Sequence, residues 1–164
     1  MEESKSYIDK ISKGQLVLIG GAEDRRGEKT VLKSITDINN PETAVIIPTA
    51  SSYPSGLAED YRYAFRELGV SNIHIFDIRN KEEADRKEYL EKIDMAEMIF
   101  FTGGDQVRLV ETFESTKLLD KIRIRYIEGA TIAGTSAGAA AASDHMIFDG
   151  DENGLIKGTV NTQK

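Results

Sequence analysis

The sequence predicts an α/β fold: a doubly wound, mostly parallel sheet with helices on both faces. Three observations predict it. Short, near-continuous apolar runs alternate with segments of helical periodicity along the whole chain, as expected of βα units whose strands are covered on both sides. Glycine and small polar residues follow the strand runs at Gly20-Gly21, Thr49 to Ser52, Gly103-Gly104 and Gly134 to Gly138, and in such sheets the ligand crevice lies at the carboxyl ends of the strands. No internal repeat or low-complexity linker interrupts the alternation, so residues 1–164 read as a single domain.

Residues 1–13 are polar and read as frayed or loosely helical. Gln15 to Ile19 is an unbroken apolar run before Gly20-Gly21, the pattern of a central strand with both faces covered. Val31, Leu32, Ile35 and Ile38 recur at helical spacing until Asn39-Asn40-Pro41 stops the helix. Ala44 to Ile47 is the second strand, closed by Pro48. Leu57, Tyr61, Phe65 and Leu68 mark the inner face of the next helix, which Gly69 ends. Asn72 to Phe76 forms the third strand. The charged stretch Lys81 to Lys92 reads as one solvated surface helix with Leu90 and Ile93 turned inward. Met98 to Phe101 is the fourth strand, broken at Thr102-Gly103-Gly104. Helical pattern resumes from Asp105 to about Tyr126 in two pieces parted near Ser115, and Gly129 leads into a fifth strand.

Bulk composition narrows the function. A chain of 164 residues buries roughly 70% of its unfolded surface, enough for a true core. A formal charge of −7 argues against nucleic acid, whose backbone demands a basic surface; it is compatible with a cationic substrate. No run approaches the ~20 apolar residues of a membrane helix, and the Met-Glu-Glu-Ser-Lys-Ser start lacks a secretory layout, so a cytoplasmic location is expected. With no cysteine, disulfides, thiolate metal sites and a cysteine nucleophile are excluded.

The most informative stretch is Gly134-Thr135-Ser136-Ala137-Gly138, set between a β-type run and a string of alanines. Glycines two before and two after a serine suit a strand that turns abruptly into a helix, where a Cβ would clash. Ser136 is therefore the candidate nucleophile, at a helix N-terminus whose free N–H groups can hold an oxyanion. The same five residues also fit a phosphate-binding or purely structural turn. Thr102 to Gln106 is the second informative stretch. Asp105 can cap the following helix, and the backbone N–H groups of Gly104 or Asp105, with that of Ala137, are the candidate oxyanion donors. Losing one such donor costs about 2.7–4 kcal/mol of transition-state stabilisation.

The base is the difficulty. His74 lies inside the third strand, roughly 10 Å below its carboxyl end. His145 follows Ser136 by nine residues, about 13 Å along a continuous helix. Neither is expected to serve. Asp149 to Gly154 imitates the first half of a calcium loop, but Val160 stands where a closing glutamate belongs, so a hairpin turn is the better reading and no metal or cofactor is expected.

With these residues in view the chain resembles the cyanophycinase family of serine peptidases, relatives of aspartyl dipeptidase (peptidase E). The resemblance rests on Gly20-Gly21-Ala22-Glu23-Asp24, Ile47-Pro48-Thr49-Ala50-Ser51-Ser52, Phe100 to Gln106 and Gly134 to Ala140, in that order. It implies a class I glutamine amidotransferase-like sheet and a homodimer. It further implies hydrolysis of cyanophycin, an arginine-bearing polyaspartate, to β-aspartyl-arginine dipeptides. Ser136 is then the nucleophile, and Gln106, Ser51 and Ser52 contact the substrate. In that family the triad histidine and acid follow the elbow region, and no such segment occurs before Lys164. The chain is thus expected to be the amino-terminal part of a longer enzyme, inactive alone, because loss of the base costs on the order of 10⁶ in kcat. Cleavage of small aspartyl dipeptides and a non-catalytic ligand-binding module are the alternative functions.

Overall fold

A computed structural model of the chain describes residues 13–143 and the backbone of two further strands, 146–149 and 161–163. Five strands, β1 (Leu16–Ile19), β2 (Thr43–Ile47), β3 (Asn72–Ile75), β4 (Met98–Phe101) and β5 (Thr131–Thr135), form one wholly parallel sheet in the order β1-β5-β4-β2-β3. The connecting helices are α1 (Thr30–Asn39), α2 (Pro54–Glu67), α3 (Lys81–Ala84), α4 (Lys87–Ile93), α5 (Gln106–Phe113) and α6 (Lys117–Glu128). A short α7 (Ala137–Ala140) follows β5. Beyond it, β6 (Met146–Asp149) pairs antiparallel with β7 (Asn161–Gln163).

Strand alternation divides the core into two layers. On β2, Ala44 and Ile46 face one side with Leu32, Ile35, Tyr61 and Phe65 of α1 and α2. Val45 and Ile47 face the other, with Ile93, Leu109, Phe113, Leu118 and Ile122 of α4, α5 and α6. Period-two side-chain alternation on a doubly covered strand makes every residue apolar, which is why β2 and β4 read as unbroken apolar runs. Phe100 of β4 is fully buried between Tyr61 and Phe65, with ring centroids 4.7 and 5.2 Å away. The doubly wound architecture is as the alternation of elements predicts.

Two expectations are corrected. The run Gln15 to Ile19 does not form a central strand: β1 is last in the sheet order, pairs only with β5 among the described residues, and leaves Leu16 48% and Leu18 55% exposed. In this run apolar continuity reports neither burial on both faces nor position in the sheet. The charged segment from Lys81 is two helices, α3 and α4. Asn80 caps α3 by accepting from the Glu83 N–H, and Arg86 is extended at φ −61°, ψ 136°, restarting the chain for α4. The expected break near Ser115 is present as a left-handed residue with φ 63°. No helix among the described residues is long and apolar enough to cross a membrane. The polar amino-terminal stretch, His145 and most of the calcium-loop candidate lie outside the described residues.

Candidate active site

β5 stops at Thr135, and the chain reverses into α7 through Ser136, whose φ of 52° and ψ of −110° place an L-residue in a sparsely populated region. Such a conformation costs about 1–3 kcal/mol and persists only where the surroundings over-determine it. The surroundings here are backbone. The Ser136 N–H donates to the Ile19 carbonyl at 2.9 Å, tying the elbow to the end of β1. A Cβ on Gly134 would lie 2.4 Å from the Gly138 carbonyl oxygen, and one on Gly138 would lie 2.5 Å from that of Phe101. The two glycines are therefore required by the closeness of β5, α7 and β4. Ser136 itself is exposed, and its hydroxyl makes no hydrogen bond among the described residues.

Two more glycines press on the serine from neighbouring strand ends. A Cβ on Gly21, after β1, or on Gly103, after β4, would come within 3.4 and 3.3 Å of Ser136 Cβ and 3.9 Å of its Oγ. Gly103 is the tighter of the two, and Gly21, at φ 107°, holds a conformation that favours glycine. Together they open a pocket of about 250 Å³ whose wall includes Glu23, Arg25, Leu57, Tyr61 and Thr135. The glycine loops thus converge on one rim.

Glu23 organises that wall. Its Oε2 accepts from Thr135 Oγ1 at 2.7 Å, and its Oε1 accepts a short hydrogen bond from the Tyr61 hydroxyl, so both oxygens are committed. Burial, and then the bond to Glu23, raise the Tyr61 phenol above its ordinary range, keeping it a proton donor. The Arg25 guanidinium lies over the Tyr61 ring, 5.2 Å from the centroid. Asp24 shapes the loop that carries both. Its Oδ1 accepts from the Arg26 and Gly27 N–H groups and its Oδ2 from that of Lys29. These backbone bonds, Gly27 first, hold its carboxyl at about 2.

The predicted site residues are only partly brought together. Asp105 caps α5 as expected, its Oδ1 accepting from Val107 and Arg108 N–H. Its own N–H, however, donates to the Ala50 carbonyl at 2.8 Å, which removes it from the candidate oxyanion donors. Gly104, at φ 141°, packs so closely on the Ala50 carbonyl that a Cβ would lie 2.1 Å away. Gln106, Ser51 and Ser52 do not line the Ser136 pocket. Ser51 is buried, its hydroxyl accepting from the Tyr53 N–H and its carbonyl accepting from Arg79 and Arg108. It borders an adjacent depression that shares Leu57 with the pocket. His74 sits on β3, three strands from β5, with its pKa lowered by burial and then by Lys92. No group of three or more His, Asp or Glu among the described residues could hold a metal.

Sequence reasoning found the Gly103-Gly104 turn but missed Glu23, Arg25 and Tyr61 as lining of the pocket. Glu23 stood within a recognised block without a role, and Tyr61 was accounted for as a core residue. The Asp24-Arg25-Arg26-Gly27 run carried one usable signal, an aspartate poised to bond its own backbone two residues on.

Residues 16–161 match the family model described as Peptidase family S51. A cyanophycinase from Geminocystis herdmanii is 36% identical over 149 residues, 89% of this chain and 53% of that protein. One from Trichormus variabilis is 35% identical over 142 residues, 85% of this chain and 48% of its own length. The chain spans about half the length of these curated relatives. The crystal structure of a peptidase from an acI-B1 actinobacterium superposes with a TM-score of 0.72 at 28% identity, covering 84% of this chain and 59% of that one.

Proposed function

The chain belongs to peptidase family S51, and from that membership we propose that it carries the nucleophile of a cyanophycinase-type serine hydrolase, with Ser136 as the attacking residue. The observation that carries this reading is the strained, exposed elbow serine flanked by Gly21 and Gly103 at the mouth of a pocket. The substrate is an aspartyl peptide, and the relatives named cyanophycinase favour cyanophycin.

In the reaction Ser136 Oγ adds to the amide carbonyl and gives up its proton to a base. The carbonyl oxygen becomes an oxyanion, for which the proposed donors are the backbone N–H groups of Ala137, at the start of α7, and of Gly104, after β4. The amine leaves on collapse of this intermediate, and water releases the acyl group. No histidine among the described residues stands near Ser136 to act as that base. Gln106 and the exposed Ser52, outside the pocket, are proposed to contact units further along a polymeric substrate, whereas buried Ser51 is proposed to support that loop.

A fluorophosphonate probe tests the nucleophile on the protein as its gene encodes it. Labelling is expected for wild type and absent for Ser136→Ala, with release of β-aspartyl-arginine from cyanophycin falling by on the order of 10⁶. Undiminished labelling of Ser136→Ala would falsify the assignment.

A further inference from the structure

We infer that Arg25 is the carboxylate-recognising residue of the Ser136 pocket, held in position by the strap that Glu23 ties between Tyr61 and Thr135. The inference rests on the proposed reading of this pocket as the site where an aspartyl substrate binds.

Three observations carry it. First, the loop after β1 has three basic side chains, and two are taken: Arg26 pairs with Asp60 at 3.3 Å, and buried Lys29 pairs with Glu67 at 2.7 Å. Arg25 makes no ion pair among the described residues, yet it is the one that shares a pocket with Ser136. Second, Glu23, the acidic side chain in the same wall among the described residues, forms no ion pair with Arg25. Both Glu23 oxygens are engaged by hydroxyl donors, Tyr61 and Thr135. Third, the guanidinium is laid on the face of Tyr61. A guanidinium over an aromatic ring is held there by cation–π attraction, and a guanidinium can pair with a carboxylate as a bidentate fork.

The backbone that carries Arg25 is fixed on both sides. Asp24 binds three N–H groups of the loop, and Glu23 is anchored to Thr135, the residue next to the serine. Arg25 and the nucleophile are thereby referenced to one frame. Cyanophycin and aspartyl peptides are rich in carboxylates, and a fixed cation beside the nucleophile would select substrates that place one there. The ligand class is a carboxylate-bearing peptide unit, and an amide in its place should bind poorly.

The test separates binding from catalysis. Ser136→Ala protein, expressed at the full length its gene encodes, is titrated calorimetrically with a synthetic cyanophycin segment carrying free carboxylates and with the same segment as carboxamides. Adding Arg25→Ala is expected to weaken binding of the free-carboxylate segment by about 10- to 100-fold, the worth of a charge-assisted hydrogen bond. Binding of the carboxamide should change less than about threefold, and Arg25→Lys should recover part of the loss. Arg25→Gln keeps a planar group over Tyr61 while removing the charge, so it serves if the alanine variant melts early. Equal losses on both segments, or no loss on either, overturn the role of Arg25. Because binding is read without turnover, an error in the nucleophile assignment would show separately, as fluorophosphonate labelling that ignores Ser136.

Discussion

At the scale of single residues, the site is built by side chains that hold backbone and by glycines that stay out of the way. Ser136 accepts a strained φ because its N–H is bonded to Ile19 and Gly134 and Gly138, two residues to either side, let β5, α7 and β4 close around it. Asp24 does the complementary work, binding three N–H groups so that the loop carrying Glu23 and Arg25 has one shape. Its carboxyl, held at about 2, sits below the ordinary value near 4. A depressed carboxylate contributes stability above its unfolded pKa, and that contribution is lost as pH falls toward the folded one. The melting temperature of Asp24→Asn should therefore lie below that of wild type at neutral pH, and the gap should close between about pH 4 and pH 2. A gap that stays constant through that window would assign the effect to something other than the charge. Asp24 is exposed, so the difference should be modest.

At the scale of elements, the strand ends are where substitutions discriminate. Gly138→Ala would push a Cβ to 2.5 Å from the Phe101 carbonyl oxygen and 2.8 Å from Phe101 Cβ. The clash is with backbone that cannot swing aside, and about 1–3 kcal/mol of destabilisation is expected. Gly20→Ala meets nothing within 4 Å and should stay within about 0.5 kcal/mol of wild type. Urea unfolding of the two variants checks the contrast, and similar midpoints would refute the packing account of the elbow. The same elements show what sequence makes legible. The elbow, the strands of the core and the break at Ser115 were readable because glycine placement, apolar continuity and helical spacing are local signals. The split between α3 and α4 was not, because a charged surface stretch carries no periodic apolar face to betray a change of direction. Nor was the Glu23–Thr135 bond, which joins residues 112 positions apart. Sequence spacing says nothing of such a contact until the parallel pairing of β1 with β5 brings the two loops side by side. The loss of the Asp105 N–H to Ala50 belongs to the same kind of information.

At the scale of the whole molecule, the sheet order decides which surfaces are finished. β4 and β2 are flanked by strands and covered on both faces, whereas β1 is an edge of the described sheet. Leu16 and Leu18, two residues apart, point to the same side. Leu16 borders an apolar hollow of about 460 Å³ with Phe113, Leu119, Ile122 and Ile132. An unpaired strand edge beside exposed leucines is a template for association. The 164-residue chain should accordingly show concentration-dependent self-association in sedimentation velocity. Leu18→Lys should shift it toward monomer, because a charge on an edge strand opposes edge-to-edge pairing. With Leu18 already 55% exposed, the substitution removes little buried contact, and the melting temperature should hardly move. A wild-type chain that sediments as a monomer across the range would show that this edge does not self-associate. Association unchanged by Leu18→Lys would move the contact to another face.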